Sequence, residues 1–206
     1  MQTDREPSSH PSFEQVVTIL RIAAWVSFII QVGLAGVSSV LLLLAIVGRS
    51  FNQAIVVPGV PRVGVAPVPV TSPGLGVGIF WGVCGVLVLL FGSYLAFRLI
   101  RFAKRLSNPN HAIRPKRTKV MQVLKLSVIT GSIGILLMIL GTGTTIAVLL
   151  AKSVSQPQGV AIYDPSRSIR SVDVFVAAAN TTGITAHFVG VVASLSVFNW
   201  LHRPTD

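Results

Sequence analysis

Four long apolar runs, each long enough to cross a bilayer, constrain this chain more than any other feature. A spanning helix needs roughly 20 apolar residues to cross a hydrocarbon core of about 30 Å. Backbone amides in lipid must be satisfied within their own segment, so each run is expected to be helical. The sequence therefore predicts an all-α integral membrane bundle of four transmembrane helices, at about residues 22–48, 76–97, 126–151 and 174–201.

The composition excludes an ordinary soluble domain. Only 11% of the residues are charged and 51% are hydrophobic, whereas soluble domains carry about 25% charged residues. We expect one membrane domain, residues 22–201, between a cytoplasmic N-terminal lead-in, residues 1–21, and a short C-terminal tail, residues 202–206. A helical lead-in from Phe13 is expected, because Ser12 and Gln15 form a capping box.

The charges of the connecting segments predict the orientation of the bundle. Residues 98–125 hold nine basic side chains and no acidic one. Short loops rich in Lys and Arg stay in the cytoplasm, so this basic loop and, with four spans, both termini are expected to be cytoplasmic. Residues 51–73 form a Val/Pro/Gly tract on the outer side, where dense proline favours an extended, polyproline-like spacer.

The basic residues after the second run indicate contact with lipid rather than with nucleic acid. Arg98, Arg101 and Arg105 share one face of a helix that is expected to continue from the second span along the inner interface. Anionic lipid headgroups are the natural partners of such a face. Nucleic-acid binding is not expected, because the sequence shows neither an aromatic stacking platform nor a recognition helix.

Polar residues recur every seven positions along the fourth run. Asp173, Asn180, His187 and Ser194 form one stripe, since seven residues are nearly two helical turns and the stripe drifts only about 20° per step. His187 is expected near the bilayer midplane. Because ionisable groups at that depth usually face a bundle interior or a water-filled path, the stripe predicts a track for a cation or protons, with His187 and Asp173 as candidate metal ligands.

The same stripe also has a structural interpretation, and the sequence leaves both open. Asp173 can complement the positive dipole at the start of its helix and pair with Lys152. Asn180 can hydrogen-bond across helices as packing glue. His187 can be neutral and satisfied by a hydroxyl group within the bundle.

The third run supplies a possible partner for the stripe. Thr142, Thr144 and Thr145 lie at about the depth of Asn180 when the third and fourth helices run antiparallel. Threonine hydroxyls can bond across a helix interface, so these three residues are further candidates for the path.

An enzyme is not expected. His187 and Ser194 lie about 10 Å apart on one helix, too far for a nucleophile and its base. The spans contain no carboxylate pair, and the chain has no P-loop or HExxH motif. No resident cofactor is expected; a metal ion enters the hypothesis only as a transported substrate.

The fourth run resembles a known family. The resemblance is carried by Val172-Asp173-Val174-Phe175, Ala179-Asn180-Thr181, Ala186-His187-Phe188-Val189-Gly190 and Ser194-Leu195. These segments are similar to the C-terminal signature of a plastid and cyanobacterial family that includes the chloroplast inner-envelope "permease in chloroplasts", also described as an inner-envelope translocon component. The resemblance implies a four-helix inner-membrane protein, with iron permeation or assistance in protein import as its role.

Further expectations concern the source, the role and the assembly of the protein. The acidic N-terminal residues Asp4, Glu6 and Glu14 are atypical of a transit peptide, which favours a cyanobacterial member in a bacterial inner membrane, with plant relatives in the plastid inner envelope. A metal-ion permease is then favoured, and a non-transporting scaffold or translocation component is the alternative. Because four helices rarely enclose a wide path, a homo-oligomer is expected, with other membrane-complex subunits as further partners.

Overall fold

A computed structural model describes residues 13–54, 73–107, 115, 117–154 and 171–202. These residues form four helices: α1 (Phe13–Ala54), α2 (Pro73–Leu106), α3 (Arg117–Val154) and α4 (Ser171–His202). Most of the predicted outer spacer and nearly all of the C-terminal tail lie outside the described residues.

The four helices confirm the all-α prediction. Each is long and apolar enough to cross a membrane, and the described ranges contain no strand. Every helix is longer than the run that predicted it, and α1 begins at Phe13, where the lead-in was expected. The predicted basic loop is largely helical, because α2 continues to Leu106 and α3 already begins at Arg117.

The helices pack as a bundle in which each one contacts its neighbours in the chain and α1 also contacts α4. In addition, α2 meets α4 across the diagonal of the bundle. We call the end where α2 stops and α3 starts the basic end. The end where α3 stops and α4 starts is the ion-pair end, named for the Lys152–Asp173 contact found there.

The bundle is apolar outside and carries polar side chains inside. Large apolar residues on every helix face outward, and Ile29, Leu87, Leu136 and Phe188 are each more than half exposed. Among the residues that the structure describes, the buried polar and charged ones are Ser27, Gln31, Ser38, Ser93, Ser127, Thr130, Thr145, Lys152, Asp173, Asn180, His187 and Ser194. This arrangement suits a lipid surround, where polar side chains face the bundle interior.

The basic end is held together by an apolar core. Leu99 and Phe102 of α2 are buried in a cluster that includes residues of α1, α3 and α4. The continuation of α2 was expected to lie along the membrane interface, which remains a prediction; its apolar side packs within the bundle, because the other three helices extend as far. Its arginines, Arg98, Arg101 and Arg105, remain exposed, as headgroup contact requires, and the Arg101 guanidinium lies 4.7 Å from the Phe97 ring centre.

Candidate functional site

The polar stripe of α4 faces the interior of the bundle along its whole length. Asp173, Asn180, His187 and Ser194 are all buried, with at most 5% of each residue exposed. Their seven-residue spacing keeps them on one face of α4 while each step advances about 10.5 Å along the axis. The stripe therefore places a polar group at four successive depths, from the ion-pair end towards the basic end.

Two glycines of α2 contact the two middle residues of this stripe. Gly78 and Gly85 recur at the same seven-residue spacing as Asn180 and His187. The Asn180 Nδ2 atom donates to the Gly78 carbonyl at 3.4 Å, and His187 Nε2 lies 3.2 Å from the Gly85 carbonyl oxygen. Because a carbonyl only accepts hydrogen bonds, Nε2 carries the proton in this contact. The backbone carbonyls of α2 are thus the partners of α4, and the absent Cβ of Gly82 leaves room for Asn180 Oδ1, whereas a Cβ at Gly78 or Gly85 would meet Thr145 or Met138 of α3.

Glycines of α3 enclose the same two side chains from the other side. A Cβ atom at Gly141 would lie 2.8 Å from Asn180 Nδ2, and one at Gly134 would overlap the His187 imidazole. Both side chains therefore occupy notches that only glycine leaves open, and the His187 ring is clamped between the backbones of α2 and α3.

Helix α1 adds buried polar groups that sequence analysis missed. Ser38 Oγ donates to the Ala179 carbonyl oxygen at 2.9 Å. Gln31 Nε2 donates to Ser27 Oγ at 2.8 Å, and the Gln31 amide fills the space in front of Gly190. The seven-residue spacing of Gln31 and Ser38 was the available signal, because it matches the spacing of the α4 stripe.

An ion pair and a hydroxyl pair lie at the two ends of the stripe. Lys152 Nζ contacts Asp173 Oδ2 at 2.6 Å, with side-chain exposures of 9% and 1%. This is the pairing that the structural interpretation of Asp173 anticipated. Near the basic end, Ser194 Oγ donates to Ser127 Oγ at 2.9 Å, so both terminal members of the stripe contact α3.

The threonine hydroxyls of α3 were expected to bond across to α4, but they bond within α3. Thr142 Oγ1 donates to the Met138 carbonyl oxygen at 2.9 Å, and the hydroxyls of Thr144 and Thr145 both donate to the Gly141 carbonyl oxygen. Threonine commonly bonds back to its own helix in this way, so these hydroxyls do not bridge α3 and α4. Thr145 alone is buried, and its hydroxyl packs against Gly78 of α2.

The two proposed metal ligands are too far apart to share an ion. Asp173 and His187 are fourteen residues apart on one continuous helix, a distance of about 21 Å. No group of three or more His, Cys, Asp or Glu side chains suited to a metal occurs among the described residues. An ion moving along the stripe would therefore meet these two ligands one after the other.

The fold and its buried polar stripe define the class of protein: a bundle of four helices, each long and apolar enough to span a membrane, with a polar interior. Residues 10–202 match the model of the family described as "Protein of unknown function (DUF3611)", and the chain belongs to that family.

A curated relative points to the organelle in which a similar protein occurs. The chain is 28% identical over 143 residues to "Protein TIC 21, chloroplastic" of Arabidopsis thaliana, an alignment that covers 66% of this chain and 47% of that protein. The chain thus spans about half the length of this relative. The match supports the resemblance to the chloroplast inner-envelope family. No solved structure matches the chain.

Proposed function

We propose that this protein is a membrane permease for metal cations, with iron as its cargo. The observation that carries the proposal is the α4 stripe, which is polar and buried from the ion-pair end to the basic end inside helices whose outer faces are apolar. Polar and ionisable groups within spans are costly and commonly mark ion pathways. The metal is cargo, and this function involves no catalytic step and no resident cofactor.

In this structure α2 and α4 are in contact, so the proposed path would be closed there. The side chains of Asn180 and His187 are buried against the α2 backbone, so cargo could pass only when these two helices separate. Separation would uncover the Gly78 and Gly85 carbonyls together with an imidazole, and both kinds of group bind divalent metals.

Asn180 provides a further reason to favour a path. Within the described part of the chain, its buried Oδ1 atom has no hydrogen-bond partner. A buried acceptor without a donor is costly, and a passing cation with its remaining water would satisfy it. This oxygen faces Gly82 of α2, on the surface that separation of α2 and α4 would open.

The orientation in this proposal follows the positive-inside rule. By this rule the bases of the basic end favour the cytoplasmic side for that end, where Arg98, Arg101 and Arg105 would contact anionic headgroups. Cargo then enters at the ion-pair end and moves towards Ser194. We place the protein in a cyanobacterial inner membrane or a plastid inner envelope, as a homo-oligomer.

A second candidate is a non-transporting scaffold or protein-translocation component, assembled with other membrane subunits. The tight fit of the polar side chains in the glycine notches favours it, because such a fit holds helices in register. In that case the interior stays closed throughout function, whereas a permease must admit water and ions to it.

Labelling of introduced cysteines tests whether the interior of the bundle admits water, as a permease requires, or stays closed, as in a scaffold. With Cys84 replaced by alanine, Asn180→Cys and His187→Cys are expected to react with a charged, water-soluble thiol reagent in membranes. Phe188→Cys is the matched control, because Phe188 faces outward and its replacement would sit in lipid. Folded protein labelled at neither 180 nor 187 would contradict the permease.

A further inference from the structure

The ion pair lies at the ends of the two helices that supply it. Asp173 is the third residue of α4, and Lys152 lies two residues before the end of α3 at Val154. The start of a helix carries partial positive charge and its end partial negative charge. Each side chain therefore complements its own helix as well as its partner, and the carboxylate keeps favourable interactions when the ammonium leaves.

Lys152 is suited to leave the pair without unfolding the bundle. Its ammonium sits on a flexible four-carbon stem, and such side chains extend along apolar surface to place their charge in water. Since α3 ends only two residues later, the stem is close to the end of the bundle. Asp173, in contrast, is 1% exposed and fixed to the first turn of α4.

From this arrangement we infer that Asp173 is a cation-exchange site, at which an entering divalent metal ion replaces the Lys152 ammonium on the carboxylate. The inference rests on the proposed permease and names the first step of its path. The exchange keeps the buried carboxylate compensated by a positive charge at every stage, and an unpaired buried charge is the state that proteins avoid. No covalent bond forms or breaks. Return of Lys152 to Asp173 would release the ion towards Asn180.

Binding of Mn²⁺ to purified protein in detergent tests the exchange, with electron paramagnetic resonance reporting free Mn²⁺. Lys152→Met removes the competing ammonium, so it is expected to bind Mn²⁺ at least about tenfold more tightly than wild type. Lys152→Arg retains the charge and holds a carboxylate through two hydrogen bonds, so it is expected to bind several-fold more weakly. Asp173→Asn should lose this binding in both the wild-type and the Lys152→Met background.

The Arg variant keeps the test decisive if the Met variant does not fold, because it preserves an ion pair. Unchanged Mn²⁺ affinity in folded Lys152→Arg, or full-strength binding by Asp173→Asn, would overturn the exchange. If wild-type protein transports iron but gives either of these two overturning binding results, the permease proposal stands and only the exchange at Asp173 is rejected. If the variants show the expected Mn²⁺ binding but wild-type protein transports no iron, the permease proposal is rejected and Asp173 remains a cation-binding site.

Discussion

Asp173→Asn is expected to lower the free energy of unfolding by about 1–3 kcal/mol, less than the roughly 3–5 kcal/mol lost when the remaining charge of a broken ion pair stays buried. The substitution removes the carboxylate that lies 2.6 Å from the Lys152 ammonium, and the flexible lysine side chain can then place its charge in water. The loss would be measured from reversible unfolding in mixed micelles, with helical circular dichroism as the signal.

The double variant Lys152→Met, Asp173→Asn is the matched control for this prediction. It removes both charges, and replacing both members of a buried pair often costs little. The double variant should therefore be more stable than Asp173→Asn, with a coupling energy above about 1 kcal/mol in the double-mutant cycle. Additive losses would show that the two charges do not stabilise each other.

Gly134→Ala is expected to lower the free energy of unfolding by about 2–3 kcal/mol, because the added Cβ would overlap the His187 imidazole. The ring has little freedom to move away, since its Nε2 atom already contacts the Gly85 carbonyl oxygen on the opposite side. Unfolding in the same mixed micelles would measure the effect.

Gly143→Ala on the same helix provides the opposite expectation. Nothing lies within 4 Å of a Cβ built at Gly143, and alanine favours a helix over glycine by about 1 kcal/mol. This variant should be as stable as wild type or slightly more stable. Equal losses at positions 134 and 143 would mean that the notch around His187 does not exist.

The fold was predictable from the sequence because a lipid bilayer allows few structures to span it. Apolar runs of sufficient length must form helices in lipid, and the run between the charged residues Lys125 and Lys152 predicted α3 without any knowledge of its neighbours. The ends of the helices were harder to predict. Charged residues at 98–106 and 117–125 ended the apolar runs without ending the helices, because apolar residues between those charges pack against other helices.

The contacts inside the bundle were only partly predictable from the sequence. The spacing of Asp173, Asn180, His187 and Ser194 predicted one buried stripe, since helix periodicity fixes which residues share a face. The partners of the stripe depend on which helices touch. The diagonal contact between α2 and α4 makes backbone carbonyls of Gly78 and Gly85 the partners, and a list of side chains cannot reveal such acceptors.

Iron uptake into proteoliposomes tests the central claim that the polar stripe is a transport path. Vesicles carrying purified wild-type protein are expected to take up iron with saturable kinetics, above the rate of empty vesicles. Folded His187→Ala should lose this uptake, while Thr185→Ala should retain it, because the Thr185 side chain faces outward and bonds to its own helix. Uptake no faster than that of empty vesicles, by wild-type protein that is folded and inserted, would contradict the claim.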